Sequence, residues 1–136
     1  MALRLEKDAK ALDALRICAA ALSVGAGLEV SWSKEAAAQP HLEWLSLVPV
    51  LRTVQEEESV FVGRLSAFER VRLVAKPSDA LRVAAAKTGV YLIEDIVLAS
   101  GRWELLHYLQ EVSLSVDYHR YGNLGLREGE LRKQIL

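Results

Sequence analysis

Apolar residues recur at Leu5, Ala9, Leu12, Leu15, Ala19 and Leu22, the steps of three and four that gather on one helical face. This spacing predicts a helix from Leu5 to about Val24, with Cys18 flanking the apolar face and Gly25 and Gly27 closing it. "LEVSW" (28–32) alternates and predicts a strand. "KEAAAQPHLEWLSLV" reads as a loop and short helix, with Pro40 near the helix's first turn. "PVLRTVQ" predicts a second strand, "EEESVFVGRL" a helix with an acidic first turn, and "RVRLVA" a third strand. "PSDALRVAAAKTG" reads as a helix capped by Ser78 or Asp79 and ended by Gly89. "VYLIEDIVL" predicts a fourth strand stopping near Glu94. "SGRWELLHYLQEV" predicts a helix with Trp103, Leu106 and Leu109 on one side, and residues 113–121 predict a fifth strand.

Strands interleaved with helices of about ten residues connect by crossovers, and crossovers build parallel sheets covered on both faces. The expected fold is therefore α/β: a Rossmann-like three-layer domain with a mostly parallel sheet of about five strands. It is expected to occupy residues 1–122, with 123–136 as a polar, glycine-interrupted tail.

The 136 residues suit one domain with one core, and a net charge of -1 with no Lys/Arg stripe argues against a nucleic-acid grip. Cys18 is the only cysteine, so no internal disulfide can form, and a cytoplasmic setting is the expectation. "ICAAALSVGAGLEV" is too short to span a bilayer, and Glu6, Asp8 and Asp13 do not suit a signal peptide. No integral membrane segment is expected.

Catalytic motifs are missing from the expected places. "GAG" precedes the first predicted strand instead of following it, so it does not make a dinucleotide-binding turn. Cys18 falls inside a helix, where a thiol is ordinarily inert packing. His41, His107 and His119 fall in three separate elements, with no metal-binding spacing between them. Glu56, Glu57 and Glu58 read as a solvated helix start. No catalytic, cofactor-binding or metal residue is expected in this chain. One alternative is a free-standing small α/β domain holding a ligand at the strand ends, near Lys34, Glu94 and Asp95.

The most specific signal comes late. Ser113, Ser115, Asp117 and His119 share one side of the fifth predicted strand, and Leu114, Val116 and Tyr118 the other. The run ends in Arg120, Tyr121, Gly122 and Asn123, an aromatic–Arg pairing common in protein interfaces. An unpaired, half-apolar strand is a liability unless another chain covers it, which leads to an expected homodimer through this strand.

The block "GRWELLHYLQEVSLSVDYHRYGNLG" resembles the C-terminal segment of bacterial proline utilization A flavoproteins and long 1-pyrroline-5-carboxylate dehydrogenases. The matching positions are Gly101, Arg102, Glu104, Leu105, Leu106, Leu109, Glu111, Ser115, His119, Arg120, Tyr121 and Gly122, with Gln110 in place of the usual Arg. Residues 69–102 are similar in layout, more loosely.

This resemblance implies a non-catalytic module, like part of an aldehyde dehydrogenase fold, that packs on the dehydrogenase domain and helps close its active site. NAD, and FAD where a proline dehydrogenase is fused, would belong to the parent enzyme, which converts proline to glutamate. The dehydrogenase domain is the implied partner. Ser115, Asp117, His119, Arg120, Tyr121, Gly122 and Asn123 are the expected interaction residues.

Overall fold

The computed structural model describes residues 1–109. Their backbone forms five short strands: β1 (Ala2–Leu5), β2 (Glu29–Trp32), β3 (Arg52–Gln55), β4 (Arg70–Leu73) and β5 (Tyr91–Ile93). All neighbouring strands run parallel, in the order β3-β2-β1-β4-β5. The helices are α1 (Ala11–Ser23), α2 (Lys34–Ala37), α3 (Trp44–Leu47), α4 (Glu58–Gly63), α5 (Asp79–Thr88) and α6 (Gly101–Glu104), the last running on into a 3-10 turn at Leu105–His107.

The pleat sorts side chains to the two faces, so each strand feeds two layers. Leu3, Leu5, Val30 and Trp32 meet Ile17, Cys18 and Ala21 of α1, together with Leu45 and Tyr108. On the opposite face Ala2, Val71 and Leu73 pack with Phe61, Leu65, Leu81 and Ala85. The result is a three-layer, Rossmann-like α/β domain, as the alternation of elements predicts.

Local signals account for most boundaries. The Ser78 hydroxyl accepts the Leu81 N–H at 3.1 Å and starts α5. Gly89 ends it at φ +75°, a backbone region open to glycine. Ser33 caps α2 through the Ala36 N–H, also at 3.1 Å.

Three expectations need correction. The predicted first helix is in fact a strand followed by a helix: Ala2–Leu5 is the central strand, and α1 begins only at Ala11. The stripe expected in the core, Leu12, Leu15, Ala19 and Leu22, faces out, while Ala14, Ile17, Cys18 and Ala21 face the sheet. The helix after Ser100 is a single turn. Its Trp103, Leu106 and Leu109 are exposed, and Glu104 and Tyr108 point inward. The predicted strand at 113–121 lies outside the described residues. The sheet reaches five strands through β1 instead.

Candidate functional site

In an open parallel sheet, ligands gather at the carboxyl ends of the strands, where the strand order reverses. Here that point lies between β1 and β4. A crevice of about 520 Å3 opens there, lined by Asp8, Lys10 and Asp13 after β1, Val74–Lys76 after β4 and Glu94–Val97 after β5. The loop from β1 to α1 reads Glu-Lys-Asp-Ala-Lys, without the glycines that let backbone N–H groups approach a pyrophosphate. Four carboxylates against two lysine ammoniums make the crevice repel an anion.

A second cleft of about 350 Å3 lies beside it, where Arg4 and Lys76 face Glu6, Glu35, Glu57 and Glu58. It is also acidic on balance.

Among the described residues, each face of the sheet holds one buried guanidinium. Arg4, on the α4–α5 side, donates from Nε to Glu6 at 2.7 Å. Its Nη1 donates to Ser31 Oγ at 2.8 Å and to the Glu56 carbonyl at 3.0 Å. Arg4 Nη2 is buried with no hydrogen-bond partner among the described residues.

Glu56 accepts from Ser31 at 2.7 Å and from Arg64 Nε at 2.8 Å. Burial alone would raise its carboxyl pKa, but hydrogen bonds from Arg64 and Ser31 outweigh burial and lower it. Arg64 Nη1 also sits 2.5 Å from Glu29 Oε1. The oxygen lacks a well-directed hydrogen bond there, so this is a charge contact. Arg4 and Arg64 both lie over the Phe61 ring, 5.4 and 5.7 Å from its centroid. The expected solvated acidic run is thus wrong for Glu56, which anchors a network linking β1, β2 and α4.

Arg72, on the α1–α6 side, is fully buried. Its Nε and Nη2 grip the two carboxylate oxygens of Glu104 at 3.0 and 3.2 Å. Nη1 donates to the carbonyls of Ile93 (3.2 Å) and Asp95 (2.6 Å). Glu104 also receives the Leu98 N–H at 3.1 Å and the Tyr108 hydroxyl at 2.8 Å. This clamp fixes the loop after β5 and the turn of α6 against the sheet. Residue types alone did not single out Glu104, because its partner lies 32 positions away.

Glu94 pairs with Arg82 at 2.5 Å on the surface, and Asp95 offers its backbone carbonyl to Arg72. Lys34 follows β2, three strand positions from β5, or about 14 Å at ordinary spacing. The structure therefore does not gather Lys34, Glu94 and Asp95 into one site. His41 Nε2 lies 3.1 Å from the Ala9 carbonyl, a packing role. Ser115, Asp117, His119, Arg120, Tyr121, Gly122 and Asn123 lie outside the described residues.

Burial pushes the Cys18 thiol up to about 12, because no cation compensates for the lost hydration of a thiolate. A disulfide reagent at pH 8 is expected to label Cys18 at least a hundredfold more slowly in the native chain than in urea. Equal rates would show that α1 opens readily.

Among the described residues no group of His, Cys, Asp and Glu converges as a metal would need, and no helix is long and apolar enough to cross a membrane. No family model, no curated protein and no solved structure matches the chain.

Proposed function

We propose that the chain is a non-catalytic C-terminal module of a proline-catabolic aldehyde dehydrogenase. In this role it docks on the dehydrogenase domain and helps close the active site in which glutamate semialdehyde is oxidised with NAD. The observation carrying this reading is the sequence block from Gly101 to Gly122, with its Gly-Arg-x-Glu-Leu-Leu opening and His-Arg-Tyr-Gly close. The burial of Glu104 under Arg72 supports it. The acidic residue of that opening is committed to holding the turn of α6 on the sheet and is withdrawn from chemistry. Two acidic clefts at the strand ends, poor hosts for a pyrophosphate, agree with NAD being held by the parent.

The test adds the purified full chain to a dehydrogenase truncated before this region and follows NADH formation from the semialdehyde. Binding and recovered turnover are expected, and a His119→Ala/Arg120→Ala variant is expected to lose both. Neither binding nor rescue by the unaltered chain would overturn the proposal.

One observation favours a second reading, a small-ligand domain: Arg4 Nη2 is buried beside the second cleft without a partner among the described residues. A thermal-shift screen of nucleotides and amino acids separates the two, since only a ligand domain is stabilised with no protein partner present.

A further inference from the structure

Arg4 is 3% exposed, and among the described residues its Nη2 has no acceptor. The other two nitrogens are committed. Nε donates to Glu6 Oε1 at 2.7 Å, and Nη1 donates to Ser31 Oγ and the Glu56 carbonyl. Phe61 attracts the cation, with Cζ 5.4 Å from the ring centroid, but offers Nη2 no oxygen. A guanidinium N–H taken out of water without an acceptor is costly, so a group left in that state calls for a reason.

The planar guanidinium fixes where that donor points. Nε–H and one Nη2 N–H run parallel along a single edge, the fork that takes both oxygens of a carboxylate. Glu6 holds the Nε tine alone. Its side chain is 39% exposed, against 2% for Arg4, so it turns out to water at little cost. A carboxylate arriving from outside engages two tines where Glu6 engages one. Glu6 thus acts as a placeholder on an edge shaped for a carboxylate.

Arg4 and Glu6 both line the second cleft, whose volume of about 350 Å3 falls in the range of small-molecule sites. Lys76 lines it as well, with Ser78 at the positive end of the ten-residue α5, and both favour negative charge there. The rest of the lining has the opposite sign. Glu35, Glu57 and Glu58 have no ion-pair partner among the described residues. They repel a free anion and attract an ammonium. A bare amine, in turn, leaves Nη2 without its acceptor. A small molecule carrying both charges answers both needs, and the amino acid zwitterion is that molecule.

We infer that this cleft binds an amino acid, its carboxylate taking the Nε–Nη2 edge of Arg4 in place of Glu6 and its ammonium facing Glu57 and Glu58. The inference rests on the ligand reading of this cleft and is independent of the dehydrogenase reading.

Titration calorimetry of the full chain against each standard amino acid tests it, with acetate, ethylamine and ATP as separate probes. At least one amino acid is expected to bind, and acetate and ethylamine at least tenfold more weakly. Glu6→Ala is expected to tighten binding at least threefold, because it removes the internal competitor. A purely structural Arg4–Glu6 pair gives no such gain. Arg4→Lys keeps the charge but loses the fork, and is expected to weaken binding at least tenfold. Glu57→Gln/Glu58→Gln is expected to weaken it at least fivefold while the urea midpoint stays near the parent value.

Binding by no amino acid overturns the inference, whatever then fills the cleft. A response to ATP alone overturns it too, while leaving the broader ligand reading in place. So does acetate binding as tightly as the amino acid, a Glu6→Ala variant that binds no tighter than the parent, or parent-like binding by Arg4→Lys or by the double glutamine variant. Should Arg4→Lys fail to fold, Glu6→Ala and the double variant decide.

Discussion

Arg72→Met is expected to cost about 3–5 kcal/mol of stability, the range for removing one member of a buried ion pair. The substitution strands the Glu104 carboxylate inside the protein and leaves the Ile93 and Asp95 carbonyls without their donor. Glu104→Leu is expected to cost less, because Arg72 keeps those carbonyl contacts. The double variant is expected to lose less than the sum of the two single losses without returning to the parent, since Leu98 N–H and the Tyr108 hydroxyl also lose an acceptor. Urea unfolding of the four proteins measures this, and a loss below about 1 kcal/mol for Arg72→Met would contradict the clamp.

The same site sets acid sensitivity. Burial raises the Glu104 pKa, but hydrogen bonds from Arg72, the Leu98 N–H and Tyr108 outweigh burial and bring it below the usual carboxylate range. The unfolded chain therefore takes up this proton at a higher pH than the folded one. The stabilisation is complete above the ordinary glutamate value, near 4.3, and is lost as pH falls through the depressed folded value. Glu56 works in the same direction. Glu104→Gln is expected to flatten the decline of the unfolding midpoint below pH 4, and an unchanged slope would assign the acid response to other groups.

The second large effect belongs to Phe61. Fully buried, it stacks on Phe68 at 6.0 Å between centroids and lies beneath the guanidiniums of Arg4 and Arg64. Phe61→Ala is expected to cost about 3–5 kcal/mol through the cavity and the lost transfer energy. Phe61→Leu retains most of the volume and removes the aromatic face, so its expected cost of about 1–2 kcal/mol reports chiefly on the cation–π contacts. A negligible loss in Phe61→Leu would mean that the ring acts through its volume alone.

Much of this architecture was legible from spacing. The alternation in Glu29–Trp32 and Arg70–Leu73, and the Ser78 and Gly89 signals around α5, led to a parallel α/β sheet. β1 escaped because Leu5, Ala9 and Leu12 continue a helical spacing across it, and four residues are too few to contest that pattern. On α1 two stripes competed. The leucines are the more hydrophobic, but a helix lying close on a sheet needs small side chains, and Ala14, Cys18 and Ala21 supply them. The role of Glu104 could not be read locally, because its meaning comes from Arg72 on a distant strand. Glu56 looked like part of a charge run because neither Ser31 nor Arg64 is its sequence neighbour.

β1 precedes the other four strands of this sheet along the chain and lies at its centre, which has a consequence for the order of assembly. As the chain is synthesised, Ala2 can close onto Glu29 well before Val71, its neighbour on the other side, has emerged. The later closure spans roughly two and a half times as much polypeptide, about 0.8 kcal/mol more in lost chain freedom. The β1–β2–β3 half is thereby favoured to form early. The β4–β5 half then arrives bearing Arg72, whose charge stays in water until Glu104 follows it in.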